Sequence, residues 1–275
     1  MPDRQKRKEI AEETLYISKE GYYATVEGDE VWFEPDYYFE SELWGQEYLE
    51  ELTKKWSLNP PIRPIQTEIV YMNENVVDTI FRLKADGIDL DKTCILNFAS
   101  AKNPGGGFLK GSMAQEEALA YCSTLYISQV DSQYYRENRL NPSKIYCDNM
   151  QYAQALFFRD SSFRLVKHPI RTNVLTAPAV NLKQIQLKGQ NQLIAAQAMK
   201  RRMGYVIDLM LEHGCETAVL GAWGCGVFGN NPYIIAENWK ELLEQRPYFK
   251  LVVMPVEGNP HDPTSNAAIF EKFFG

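Results

Sequence analysis

The sequence predicts an α/β fold in which a parallel or mixed sheet lies between layers of helices. From residue 65 onward, short apolar runs alternate with longer segments of helical periodicity. The run at 93–99 is almost continuously apolar, as expected for a strand buried on both faces. Two glycine-rich loops each follow a strand and precede a helix. This alternation of strands and helices is typical of α/β proteins.

The first 64 residues are expected to form an accessory extension that packs on a core domain at 65–275. The sequence predicts an amphipathic helix over 3–18, a β-hairpin around Gly28-Asp29 and a second helix over 41–55. A proline-rich joint at 58–64 follows. The segment contains too little apolar material to fold alone, so we expect its stability to come from contact with the core domain.

The core domain should then add strands and helices in alternation. Strands are predicted over 67–72, 93–99, 172–180 and 248–257, with another just before the second glycine loop. Helices are predicted over 75–87, 114–127, 191–214, 232–245 and 263–274. Gly214 and Pro232 support two of these boundaries, because glycine favours helix ends and proline favours first turns. The middle segment, 130–165, is expected to mix short strands with irregular chain.

Composition argues against several classes of protein. The net charge of −7 disfavours a general nucleic-acid or acidic-membrane binder, since phosphate neutralisation needs clustered Lys and Arg. The five cysteines are widely spaced without a CxxC pair, and the three histidines are far apart, so we expect neither a metal site nor a disulfide framework. The charged N-terminus and the absence of a stretch near the ~18 apolar residues of a membrane span favour a cytoplasmic protein without membrane contact.

The two glycine-rich loops are the first functional candidates. They are NPGGGFLKGSM (103–113) and GAWGCGVFGNNP (221–232). Ligands of open α/β sheets bind at the carboxyl ends of strands, and glycine lets backbone amides approach a phosphate closely. We expect the two loops to meet at one phosphate-containing ligand; the alternative is that each merely forms a tight turn.

The loop sequences narrow the choice of ligand. Neither contains GK[ST], which argues against a P-loop nucleoside triphosphatase. The second contains GCGVFG, which fits the fingerprint of NAD-dependent oxidoreductases. It begins only about 50 residues from the last residue, however, and lacks the acidic residue expected about 20 positions later. We therefore expect a phosphate ligand of another kind.

Two adjacent carboxylates begin the helix after the first loop. Seven residues separate the glycines from Gln115-Glu116-Glu117. Acidic residues in a first turn can serve only the helix dipole. Here the spacing also brings them to the expected ligand, where one carboxyl group could protonate a leaving oxygen while the other holds sugar hydroxyls. Glycoside hydrolysis needs such a carboxylic acid and a stabilised oxocarbenium-like transition state.

The motif GGG-x7-QEE, within ILNFASAKNPGGGFLKGSMAQEEALAYCSTLY, resembles the signature of poly(ADP-ribose) glycohydrolases. The segments RKEIAEETLYISKEGYY, FFRD followed by VLTAPAVN, and VLGAWGCGVFGNNP resemble the bacterial, or microbial-type, branch. The resemblance implies a macrodomain-like three-layer α/β/α fold with a mixed central sheet, which binds ADP-ribose and needs no metal or other cofactor.

The resemblance also implies roles for individual residues. Glu117 would be the catalytic acid/base, Glu116 would bind ribose hydroxyls, and Gln115 would support the helix turn. Phe228 would pack against the terminal ribose. Further contacts with the ribose and diphosphate are expected from Asn97, Asn103, Gly105, Gly106, Gly107, Gly224, Gly226 and Val227.

The implied reaction cleaves ribose–ribose O-glycosidic bonds of poly(ADP-ribose) and releases ADP-ribose, with trimming from chain ends. The expected partners are poly(ADP-ribose) or an ADP-ribosylated protein, with ADP-ribose as product and no direct nucleic-acid binding. Two alternatives remain open from the sequence. One is a non-catalytic ADP-ribose-binding macrodomain, and the other is a hydrolase of mono-ADP-ribose attached to protein or nucleic acid.

Overall fold

The computed structural model describes residues 2–60 and 63–275. Its N-terminal part begins with helix α1 (Arg4–Glu20), which the Asp3 side chain caps by accepting from the Lys6 amide. Gly21, at φ +68°, ends this helix in the left-handed conformation that favours glycine. Strands β1 (Tyr22–Ala24) and β2 (Glu30–Trp32) form an antiparallel hairpin. The predicted first helix and hairpin are thus confirmed.

The predicted helix over 41–55 needs correction. Residues Glu42–Trp44 form strand β3, and helix α2 (Gln46–Leu58) begins only after it. Strand β3 pairs antiparallel with a strand of the core sheet. The first 64 residues therefore supply the edge strand of the main sheet, and the division of the chain at residue 64 stays a prediction.

The central sheet has seven strands in the order β3-β6-β7-β5-β8-β9-β4. Strand β6 is antiparallel to both of its neighbours, and the remaining pairs are parallel. The sheet is therefore mixed, as the resemblance implied. Its further strands are β4 (Glu68–Met72), β5 (Thr93–Ala99), β6 (Met150–Arg159), β7 (Leu165–Pro178), β8 (Thr217–Val219) and β9 (Leu251–Pro255).

Helices cover both faces of this sheet. They are α3 (Val76–Ala85), α4 (Gln115–Cys122), α5 (Leu125–Gln129), α6 (Gln133–Leu140), α7 (Leu182–Leu187), α8 (Gln192–Glu212), α9 (Pro232–Gln245) and α10 (Asn266–Phe274). Alternate residues of β5 face different cores: Cys94 and Leu96 pack with α8 and α9, whereas Ile95 packs with α3 and α4. The predicted three-layer α/β/α architecture is confirmed.

The predicted helix over 114–127 is divided in two. Ser123 adopts an extended conformation at φ −145° and forms a β-bridge with Phe157. Thr124 exchanges hydrogen bonds with Leu156, one from its amide and one to its hydroxyl. This pairing with strand β6 ends α4 and starts α5. The segment 130–165 also differs from prediction, because it contains α6 and the ten-residue strand β6.

None of the helices within the described residues combines the length and apolar character needed to span a membrane.

Candidate active site

Both glycine-rich loops line one cavity of about 660 Å³ at the carboxyl ends of β5 and β8. The lining residues of the first loop are Asn103, Pro104, Gly106, Gly107, Leu109 and Lys110, and those of the second are Ala222, Trp223, Gly224, Gly226, Val227 and Phe228. The first turn of α4 forms a further wall, with Gln115, Glu116 and Glu117. The parallel strands place the two loops together because their carboxyl ends lie at the same edge of the sheet.

Gln115 attaches helix α4 to strand β5. Its Oε1 accepts a hydrogen bond from the Phe98 amide at 2.9 Å, and its Nε2 donates to the Leu96 carbonyl at 2.8 Å. The side-chain amide thus satisfies one backbone donor and one backbone acceptor of β5. This contact fixes the position of the two glutamates that follow.

Glu116 and Glu117 are both buried, and both accept from backbone amides of the segment that joins β5 to α4. Glu116 Oε2 accepts from the Ser100 amide, and Glu117 Oε1 accepts from the Gly107 amide, each at 2.7 Å. The two carboxyl groups converge on Gly106, which has φ +61°. A Cβ on Gly106 would lie 2.5 Å from Glu117 Oε1 and 2.9 Å from Glu116 Oε2. Glycine is required here both by conformation and by space.

The two glutamates differ in their surroundings. Burial raises the pKa of Glu116 well above its ordinary value, and the neighbouring charge of Glu117 adds to this rise, while the Ser100 amide opposes it. Among the described residues, Glu116 Oε1 has no hydrogen-bond partner. A carboxyl group in this environment favours its neutral form, which can both donate to and accept from a sugar hydroxyl.

The second loop has a packed base and an open tip. At the base, a Cβ on Gly224 (φ +76°) would lie 2.7 Å from the Ala179 Cβ. Asn230 closes the base, because its Nδ2 donates to the carbonyls of Val180 and Gly224. At the tip, a Cβ on Gly226 would have no heavy atom within 4 Å, and Val227 is 81% exposed. The tip backbone is therefore accessible from the cavity.

Two of the predicted contact residues do not line this cavity. The Asn97 side chain is fully buried and donates to Thr176 Oγ1 at 3.2 Å. The Gly105 amide donates to Gln129 Oε1 at 3.2 Å. Asn103, Gly106, Gly107, Gly224, Gly226, Val227 and Phe228 all line it.

Alternation along β5 explains the position of Asn97. Phe98 and Ser100 line the cavity, and successive side chains of a strand point to opposite faces. The sequence predicted that side chains of β5 alternate between the two faces of the sheet. It did not indicate which of the two faces meets the ligand.

Ser100 is a site residue that the sequence reasoning missed. Its amide holds Glu116, and its Oγ accepts from the amides of Lys102 and Asn103 at 3.3 and 3.1 Å. It therefore shapes the start of the first loop. A serine just before a glycine-rich loop is a known turn signal, which could have identified it.

Helix α1 supports the far end of the first loop. Arg4 Nε donates to the Lys110 carbonyl, and Arg7 Nε donates to the Gly111 carbonyl, each at 2.9 Å. Lys110 and Leu109 in turn line the cavity. No local sequence signal links these arginines to residues more than 100 positions away.

A second cavity of about 320 Å³ adjoins the first. The two share Phe98, Ala114, Gln115 and Ala222 as walls. The second cavity continues along apolar residues, among them Val256 and Leu220, to the polar residues Asn75 and Glu257. The two cavities thus form an elongated groove whose carboxyl pair lies in the larger part.

The sequence model for the family described as "Microbial-type PARG, catalytic domain" matches residues 11–160, which is more than half of the chain. Among solved structures, poly(ADP-ribose) glycohydrolase from Thermomonospora curvata has a TM-score of 0.89 and 32% sequence identity, covering 98% of this chain and 100% of that one. No curated protein matches the chain.

Two further solved structures carry ligands. The Thermomonospora curvata enzyme bound to the inhibitor ADP-HPD has a TM-score of 0.86 and 31% identity, covering 98% of this chain and 99% of that one. The Deinococcus radiodurans enzyme in complex with ADP-ribose has a TM-score of 0.78 and 34% identity, covering 86% and 95%. The structural similarity extends over nearly the whole chain and the family model matches more than half of it, and the chain belongs to the microbial-type poly(ADP-ribose) glycohydrolase family.

Proposed function

We propose that this chain is a glycosidase that hydrolyses ribose–ribose O-glycosidic bonds of poly(ADP-ribose) and releases ADP-ribose. One observation carries the proposal: a pair of buried carboxyl groups, held by the amides of Ser100 and Gly107, lines the same cavity as the second loop. Family membership and the ADP-ribose complex of the Deinococcus radiodurans relative support it.

The diphosphate of the substrate binds between the two loops, to backbone amides of the second. Amides of glycine-rich turns can hold phosphates without cationic side chains, which agrees with the net charge of −7. Gly224, Gly226 and Val227 contribute amides from the second loop. The Gly106 and Gly107 amides already donate to the Asn103 carbonyl and to Glu117 Oε1, so these two glycines contribute by close approach of their backbone to the ligand. Asn103 contacts the ribose. This binding holds the sugar in place and lowers the entropic barrier to the transition state.

The terminal ribose lies between Phe228 and the carboxyl pair, and Glu116 holds its hydroxyls. The adenosine end extends into the adjoining cavity, whose apolar walls suit a purine ring and whose Asn75 and Glu257 suit its polar edge. A ligand with two ends joined by a diphosphate matches the elongated groove.

Glu117 acts as acid and then as base. Its Oε1 accepts from the Gly107 amide, which leaves Oε2 to carry the proton. The bond between the ribose C1″ and the departing 2′ oxygen breaks, and that oxygen takes the proton from Glu117. The diphosphate stabilises the cationic sugar. A water molecule then attacks C1″ and returns a proton to Glu117.

Cleavage occurs at the end of the polymer chain. The contacts of Arg4 and Arg7 with the 110–111 backbone hold the first loop against α1, and Leu109 and Lys110 of this loop line the cavity. A loop fixed in this way obstructs polymer beyond the bound unit, which favours a terminal ADP-ribose unit over an internal one. We also propose a cytoplasmic location, which agrees with the five free cysteines of the chain.

The variant Glu117→Gln tests this function, because it keeps the shape of the side chain and removes its acid/base capacity. We expect ADP-ribose release from poly(ADP-ribose), measured by chromatography, to fall by roughly 10²–10⁴-fold, the usual contribution of general acid–base catalysis. Calorimetry should show that ADP-ribose still binds. Glu237→Gln, the same change at an exposed position of α9, is the matched control. Near wild-type hydrolysis by Glu117→Gln would contradict the role given to Glu117.

A substrate panel distinguishes the alternatives. Binding of ADP-ribose with no release from any substrate would indicate a non-catalytic reader. Faster release from mono-ADP-ribosylated protein or nucleic acid than from the polymer would indicate the other hydrolase.

A further inference from the structure

Tyr146 adopts a backbone conformation that its side chain disfavours. Its φ is +65°, and Phe163 is the other non-glycine residue with positive φ in the described part of the chain. A Cβ in the left-handed region meets the following carbonyl oxygen, so surrounding contacts must hold the residue there. Strained residues of this kind cluster at functional sites, which makes the neighbours of Tyr146 informative.

Hydrogen bonds hold the backbone immediately before and after Tyr146. On the N-terminal side, the Ile145 carbonyl accepts from Arg202 Nη2 at 2.9 Å, and the Lys144 carbonyl accepts from the Asn181 amide at 3.1 Å. On the C-terminal side, the Cys147 amide donates to Asn138 Oδ1 at 2.9 Å.

Arg202 is the centre of these contacts. It lies within α8, is fully buried, and forms an ion pair with Asp148, which is 3% exposed. Its Nη1 also donates to the carbonyl of Pro178, the last residue of β7. A buried arginine with all of these partners is a rigid anchor, so the position of Tyr146 is set by the core of the molecule.

The Tyr146 ring faces Phe228. The two ring centroids are 6.2 Å apart, with 42° between the planes, which is within the range of aromatic contact. Phe228 lines the cavity, whereas Tyr146 is not among the lining residues. Tyr146 therefore stands behind Phe228 as seen from the substrate.

The geometry points to Tyr146 as a positioning residue, which fixes the Phe228 ring against the terminal ribose through the loop anchored by Arg202. The inference rests on the proposed function, since it needs Phe228 to contact that ribose. Phe228 follows the open tip at 226–227, where no other part of the molecule crowds the backbone of Gly226. Its carbonyl accepts from the Lys183 amide at 2.9 Å, and its ring packs against the edge of the larger core as well as against Tyr146.

A double-mutant cycle of Tyr146→Ala and Phe228→Ala tests whether one residue acts through the other. We expect Tyr146→Ala to lower kcat about tenfold, less than the roughly hundredfold cost of a 1 Å misplacement, with KM changed by less than about threefold. In the Phe228→Ala background, Tyr146→Ala should cause no further loss. Tyr146→Phe keeps the ring and should retain wild-type kcat.

A glycine variant separates the ring from the backbone strain. Tyr146→Gly removes the ring and relieves the positive φ, so we expect the kcat of Tyr146→Ala together with a higher Tm than that variant has. Recovery of wild-type kcat in Tyr146→Gly would overturn the inference, because the strain and not the ring would then matter. Losses that add in the double mutant would also overturn it.

The same assays separate failure of this inference from failure of the proposed function. If the wild type releases ADP-ribose and Phe228→Ala is impaired while Tyr146→Ala is not, the inference fails and the proposed function stands. If the wild type releases no ADP-ribose, the proposed function fails and the inference falls with it.

Discussion

The two glycine-rich loops line one cavity, but their glycines have different neighbours. In the first loop, Gly106 is crowded by both active-site carboxyl groups, and a Cβ on Gly107 would lie 2.7 Å from the Ser112 Cβ. At the tip of the second loop, Gly226 has open space around it and Val227 is largely exposed. One loop is shaped by the protein itself, whereas the tip of the other faces only the cavity or solvent.

This difference indicates two ways in which glycine serves a binding loop. In the first loop, the Gly107 amide reaches Glu117 and the missing Cβ of Gly106 leaves room for both carboxyl groups, so their positions are set before any ligand arrives. Glycine at the tip of the second loop keeps the backbone open to the ligand. The same substitution, glycine to alanine, should therefore have different consequences in the two loops.

The largest effect is expected from Gly106→Ala. The new Cβ would displace both carboxyl groups, so we expect activity to fall roughly hundredfold, the cost of about 1 Å of misplacement. Stability should also fall, by about 1–2 kcal/mol for the left-handed conformation and further for the collision. Release of ADP-ribose and denaturant titration measure the two effects.

Gly87→Ala is the matched control for that variant. Gly87 has φ +77°, but its Cβ would meet no atom within 4 Å, and it lies far from the cavity after α3. We expect the same conformational cost of about 1–2 kcal/mol with wild-type activity. If Gly106→Ala behaves like Gly87→Ala in activity, the collision with the carboxyl groups does not matter and the comparison of the loops fails.

For Gly226→Ala we expect the reverse: the stability of the protein should hardly change, and the affinity for the ligand should fall. The protein offers no obstacle to the new Cβ, so the free energy of unfolding should change by less than about 0.5 kcal/mol, as at other open surface sites. ADP-ribose affinity should fall about tenfold, because the methyl group projects where the diphosphate approaches the backbone. Calorimetry measures the affinity. Unchanged affinity would mean that the tip does not contact the diphosphate.

Local patterns predicted the loops and most of the fold, because each pattern is short and depends on neighbouring residues. The α/β alternation, the N-terminal helix and hairpin, and the placement of QEE beside the first loop are of this kind. The structure differs from prediction where a distant partner decides the conformation. The helix break at Ser123–Thr124 depends on strand β6, and strand β3 exists because it pairs with the same strand.

The same distinction between local and distant partners applies to the candidate site. The proximity of the first-loop glycines to the two glutamates could be predicted from spacing, since Gly105 to Glu117 spans only 13 residues of the chain. The arginines that hold the surrounding backbone could not be predicted in this way. Arg4, Arg7 and Arg202 donate to backbone carbonyls that lie 24 to 106 positions away. A basic side chain in a helix carries no local sign of which distant carbonyl it will reach.

A pH dependence of stability is expected from Glu116, at the start of α4 beside the first loop. Its pKa is raised in the folded protein, chiefly by burial, so between its ordinary value near 4.5 and the raised value the unfolded chain releases a proton that the folded chain keeps. Folding stability therefore decreases as pH rises through that window, by up to about 1.4 kcal/mol for each unit by which the pKa is raised. Glu116→Gln keeps an acceptor for the Ser100 amide but cannot titrate.

We accordingly expect Glu116→Gln to gain stability relative to the wild type between pH 5 and pH 8, as measured by denaturant titration at several pH values. Glu237→Gln, which changes an exposed glutamate, should follow the wild-type profile in parallel. Parallel profiles for Glu116→Gln as well would mean that Glu116 ionises normally in the folded protein. The Ser100 amide would then have to stabilise a charged carboxylate at a buried position.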